Sequence, residues 1–163
     1  MRIHILLLAL IFGGLLMGCG MSSFTQKKTP PFSIDKRPQP TGSDLETLIP
    51  PTVGTFKRDT IAGNTNPFSG EDINVEYRSG ADTIFFGFSI AETENDAYEA
   101  IKVTRKEAID SKISIKGEQY MIGKNPSYFK ISGFMSWTRG KYFFYAKANN
   151  WQALENFMKA FPY

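Results

Sequence analysis

Residues 73–90 read INVEYRSGADTIFFGFSI, and their hydrophobic period decides the fold class. Ile73, Val75 and Tyr77 alternate with Asn74, Glu76 and Arg78, the period of two that marks a half-buried strand. Ile84, Phe86, Phe88 and Ile90 alternate in the same way with Phe85, Gly87 and Ser89. Ser79-Gly80-Ala81 separates the two runs, and matched alternations about a glycine turn predict a β-hairpin. The period then changes. Ala97, Ile101, Thr104 and Ala108 recur at helical spacing, and Thr93 with Asp96 makes a capping-box-like start. Glu92, Glu94 and Asp96 precede Lys102, Arg105 and Lys106, the order the helix dipole favours, so these charges read as a solvated face.

The second half repeats the plan. Residues 113–122 read as a strand around Gly117, 123–127 as a turn, and 128–131 as extended. Residues 133–138 and 141–148 form a second hairpin about Arg139-Gly140. A closing helix follows, capped by Asn149 or Asn150 and stopped by Pro162, with Trp151, Leu154, Met158 and Phe161 on one face. Upstream, 44–49 is a helical turn closed by Pro50-Pro51, 53–61 a strand, and 63–72 a loop dense in turn formers. Two successive strand-hairpin-helix units predict an α+β domain over 45–163, an antiparallel sheet with both helices packed on one face.

On that arrangement Ile84, Phe86, Phe88, Ile90, Tyr142, Phe144 and Ala146 point at the helices. Phe85, Gly87, Phe143, Tyr145 and Lys147 point away, with Met135 and Trp137 added from the neighbouring strand. Phe85, Trp137, Phe143 and Tyr145 are thus the candidate partner or ligand face. A contiguous aromatic patch of this kind needs a cover. Another segment of the chain, a partner protein or second copy, or a small apolar or glycan ligand would each supply one.

The start of the chain speaks to location. Arg2 gives a short positive head, and an uninterrupted apolar block runs from Ile5 to Met17. A block of that length suits an export signal and is short of the ~20 residues a membrane span needs. It ends in Leu16-Met17-Gly18-Cys19, which closely resembles the lipobox of bacterial lipoproteins: Leu at −3, a small residue at −1, then Cys. The resemblance implies cleavage after Gly18 and lipidation of the Cys19 sulfur. It also implies a place in the bacterial cell envelope, on the outer leaflet of the cytoplasmic membrane or on the outer membrane. Lipid on a thiol adds ~0.8 kcal/mol per buried methylene, and two or more chains hold stably. Residues 19–44, with Pro30, Pro31, Pro38 and Pro40 and no period, read as the lipidated Cys followed by a Pro-rich flexible tether.

Composition then narrows the function. Removing 1–18 takes away His4, the only histidine, and leaves the only cysteine acylated. Ser-His-Asp and Cys-His machinery, zinc sites built on thiolate or imidazole, and disulfides are thereby excluded. The 19 Lys and Arg lose only Arg2, so against 16 Asp and Glu the net charge is about +2, too mild to argue for nucleic acid. No phosphate-binding glycine loop follows a strand, and no G-x-S-x-G occurs. No cofactor, metal site or catalytic residue is expected. The reading is a membrane-tethered binding or assembly module that takes an envelope protein partner or self-associates. The alternative is a small extracytoplasmic enzyme, or accessory subunit, working with carboxylate, Tyr or Lys chemistry.

Overall fold

The computed structural model describes residues 23–42, 48–66, 70–110, 116–122, 125–131 and 133–163. Nine strands form one sheet: β1 (Ser23–Lys27), β2 (Thr52–Val53), β3 (Phe56–Asn66), β4 (Gly70–Ser79), β5 (Asp82–Ile90), β6 (Lys116–Ile122), β7 (Asn125–Ile131), β8 (Phe134–Arg139) and β9 (Tyr142–Ala148). Helix α1 (Glu94–Asp110) follows β5, and α2 (Trp151–Ala160) follows β9. The order across the sheet is β1-β6-β7-β8-β9-β5-β4-β3-β2, antiparallel except where β1 runs parallel to β6. The α+β class and the two hairpin-then-helix units are as the periodicity predicts.

Both central hairpins close through two-residue loops. Ser79 pairs with Asp82 across Gly80-Ala81, and Arg139 with Tyr142 across Gly140-Lys141. Gly80 and Gly140 take φ of 61° and 58°, so each supplies the left-handed first position that a II′ turn requires. The second loop lies one residue later than the sequence placed it. Thr93 and Asp96 do cap α1: the Asp96 carboxylate accepts from the Thr93 N–H at 3.0 Å, and the Thr93 hydroxyl accepts from the Asp96 N–H at 3.2 Å. Asn150 caps α2, its side-chain oxygen accepting from the Ala153 N–H at 2.8 Å.

The helices lie on opposite faces, not on one. Leu154, Phe157 and Met158 of α2 join Phe86, Phe88, Trp137 and Phe144 in the larger core. Ala97, Ala100 and Ile101 of α1 join Phe129, Ile131 and Phe143, whose side chains leave the other side of the same strands. The reason is that β9, at the middle of the sheet, buries side chains on both faces. Phe143 and Phe144 are 4% and 0% exposed, so neither face of β9 is free to meet water. One helix per side answers that demand.

Two loop assignments also change. Residues 63–66 and 70–72 extend β3 and β4 into a long hairpin, since Gly63 pairs with Ile73 and Asn66 with Gly70. The turn read over 123–127 gives way to β7 at Asn125. Most of the helical turn read over 44–49 lies outside the described residues, as does 113–115 of the strand around Gly117.

Residues 23–42 are folded onto the domain rather than forming a tether. Ser23 to Lys27 extend the sheet, with Phe24 opposite Gly117, and the Phe24 ring takes the space that a Cβ at Gly117 would need. Farther on, Ile34 is 3% exposed within the larger core. Arg37 donates to the carbonyls of Met158 and Tyr163, and Arg139 donates to those of Asp35 and Arg37. The Tyr142 hydroxyl donates to the Gly42 carbonyl at 3.0 Å. A Pro-rich segment has few N–H groups for a ladder, and here arginine side chains satisfy carbonyls instead. Partial burial lowers the Arg37 pKa, the desolvation cost of holding that cation against the closing helix. Arg37→Ala is therefore expected to cost about 2 kcal/mol in chemical denaturation, the range for hydrogen bonds made by a charged donor. An unchanged midpoint would mean that the segment merely lies alongside the domain.

Candidate functional site

Helix α1 packs on β7, β8 and β9, and beyond β9 the same face continues onto β5, β4 and β3. There the alternation sends out polar side chains: Asn74 and Glu76 from β4, Thr60 from β3. Among them stands Phe85, opposite Glu76 in the register and 52% exposed.

Tyr145 bounds this patch. It pairs with Gly87 across β9 and β5, and Gly87 pairs in turn with Asn74 across β5 and β4. Because Gly87 has no side chain, the Tyr145 ring lies over it and its hydroxyl donates to the Asn74 side-chain oxygen, bridging three strands. A Cβ built on Gly87 would fall 2.1 Å from the ring carbons of Tyr145. Between this ring and Phe85 is a shallow depression of about 230 Å³, walled by Thr60, Asn74 and Glu76. Its acidic group is already engaged. Arg78 Nε donates to Glu76 at 2.7 Å and lies 2.9 Å from the Asp59 carboxylate.

Of the four residues expected on one ligand face, the structure keeps two together. Phe85 and Tyr145 flank the depression. Phe143 shares their face but is covered by α1 at 4% exposure. Trp137 belongs to the opposite face, as does Met135. Trp137 pairs with Phe144, stacks on its ring at 5.2 Å, and is wholly buried beside Phe161. The aromatic patch is thus covered in part, by α1 over Phe143 and by the packing of Tyr145 over Gly87, while Phe85 stays half exposed. The polar wall of Thr60, Asn74 and Glu76 was missed. Its signal was present in the register, because residues alternating with Ile73, Val75 and Tyr77 must surround whatever Phe85 and Gly87 present. Cys19 and Gly18 lie outside the described residues.

Chemically, the depression offers one exposed ring, an amide, a hydroxyl and a carboxylate neutralised by arginine. That set suits a flat apolar group with a polar rim, held without strong charge. Among the described residues no group of three His, Cys, Asp or Glu could hold a metal ion, and no helix is long and apolar enough to cross a membrane. Gly87→Val should displace the Tyr145 ring, break its bond to Asn74 and cost about 1–3 kcal/mol through overpacking. Thermal denaturation and the NMR shifts of the Tyr145 ring would report it; an unmoved ring would refute the close approach.

The fold and site define a class: a two-sided α+β sheet domain with an open, polar-walled aromatic depression among its described residues. No family model matches the chain, and no curated protein or solved structure matches it.

Proposed function

We propose that this chain is a bacterial lipoprotein, held to the envelope by acylated Cys19, whose folded part acts as a non-enzymatic binding or assembly module through the Phe85–Tyr145 depression. The observation that carries the anchor is Leu16-Met17-Gly18-Cys19 in register behind a positive head and an apolar block. A half-exposed ring at Phe85 beside a shallow depression supports binding. A carboxylate- or tyrosine-based activity is the competing reading. Glu76 is tied to Arg78 and Tyr145 to Asn74, so both groups already have structural partners, which favours binding over acid–base work.

Cys19→Ser tests the anchor. Metabolic labelling with an alkyne fatty acid should mark the unaltered protein and not the variant, and the variant should leave the membrane fraction or retain its signal. Equal retention and mobility would tell against lipidation. For the module, crosslinking in native membranes should recover a stoichiometric partner from the unaltered protein and lose it in Phe85→Ala. Turnover of an envelope substrate with no partner recovered would reverse the ranking.

A further inference from the structure

Folding of residues 23–27 into the sheet changes what a lipid on Cys19 would do. Only three residues separate Cys19 from β1, so the anchor stands no more than about 14 Å from the Ser23 Cα even when fully extended. A 25-residue tether would let the domain roam; this one does not. We propose that the end of the sheet carrying Ser23, Gly133 and Asn149 rests on the phospholipid headgroups, with the strands rising from the bilayer and the Gly140–Lys141 end held away. This rests on the lipoprotein reading and adds an orientation to it.

The register defines the two ends. β1 and β6 start together at Ser23 and Lys116, and β7 and β8 turn back at Gly133. The Ala148 N–H donates to the Gly133 carbonyl at 2.9 Å, which brings the exit of β9 to the same end. At the other end lie Gly140 and Lys141, the start of α1, and the paired strand ends Asn66 and Gly70. Asn149 and Lys141 flank β9 and are separated by about 26 Å of strand.

Chemistry along the molecule favours the same orientation over lying flat. Helix α1 leaves the far end with Glu92, Glu94 and Asp96 and runs towards the near end with Lys102, Arg105 and Lys106; Lys102 pairs with Glu99, and Arg105 reaches β1, its guanidinium 4.8 Å from the Phe24 ring centre. An anionic surface attracts the second group and repels the first. On the other face, half-buried Trp151 begins α2 at the anchored end, and Lys130 Nζ lies 3.6 Å from its ring centre. A tryptophan with a lysine is a pairing suited to the headgroup layer.

The test uses the full lipidated chain in phosphatidylethanolamine–phosphatidylglycerol vesicles, with a photo-crosslinking amino acid at Asn149 or at Lys141. Intact mass first establishes that Cys19 carries lipid; a bare Cys19 would overturn the anchor reading itself. With the lipid present, phospholipid adducts are expected from position 149 and not from 141. Lengthening the 20–22 segment by a Gly/Ser spacer should abolish the adduct at 149 while Cys19 stays acylated. Adducts from both positions, from neither, or from 141 alone would overturn the orientation and leave the anchor standing.

Discussion

Phe157→Ala is expected to remove about 3–5 kcal/mol of folding stability, the cost of truncating a fully buried ring whose cavity cannot collapse. The magnitude follows from its position. Phe157 is 0% exposed and is the ring through which α2 grips the sheet. Its ring centre lies 5.1 Å from that of Tyr77, 5.7 Å from Phe56, 5.9 Å from Phe86 and 5.5 Å from Phe161. These partners come from three different strands and from the chain end, so no single side chain can move in to fill the gap. For a domain of this size the loss converts to a fall in melting temperature of roughly 10 °C. Phe85→Ala is the matched control, because its ring is half exposed and its removal should change stability by no more than about 0.5 kcal/mol. Equal effects of the two substitutions would mean that α2 does not close this core.

Alkali should unfold the domain through two buried phenols. Tyr77 and Tyr128 are both 0% exposed, and burial raises the pKa of each well above the ordinary value of 10.0. The Arg58 cation partly offsets the rise at Tyr77, whereas the Glu118 carboxylate adds to it at Tyr128. Tyr98 shifts in the same direction, through burial and the adjacent Glu94. In the unfolded chain these groups ionise near pH 10, while in the folded protein they keep their protons. Above that pH the folded state therefore binds more protons, and stability falls as pH rises. Below it their contribution is fully present. Each of the two fully buried groups contributes a slope of up to about 1.4 kcal/mol per pH unit. Denaturation midpoints should be flat up to about pH 9 and then fall steeply, with the share of tyrosinate absorbance due to Tyr77 and Tyr128 appearing together with unfolding. The two phenols differ in a way that sharpens the test. Tyr77 donates to the Pro50 carbonyl at 2.7 Å, but the Tyr128 hydroxyl is buried without a hydrogen-bond partner among the described residues. Tyr128→Phe should thus remove its share of the alkaline slope at little or no cost near neutrality. A midpoint that stays level past pH 10 would show that neither phenol is shielded.

How much of the site could be read in advance is clearest at Trp137. A two-residue hairpin loop, whether at Arg139-Gly140 or at Gly140-Lys141, pairs Trp137 with an even-numbered residue of the next strand. Paired residues share a face, so Trp137 had to join Tyr142 and Phe144. That inference was within reach of the sequence. The Pro-rich segment was not. Ile34 and Arg37 carry no period, and the carbonyls of Met158 and Tyr163 that hold Arg37 are more than a hundred residues away.

The amino-acid sequence by itself determined the local elements: both central hairpins, the caps at Thr93 and Asn150, and the division of β5 and β9 into two sets of side chains. These depend on backbone geometry and on neighbours a few residues apart. Only the tertiary structure decided which helix covers which set, that residues 23–42 join the fold, and that Gly87 admits Tyr145 to Asn74. Such outcomes follow from competition among distant surfaces for burial, and a period of two tells which side chains travel together without telling what will meet them.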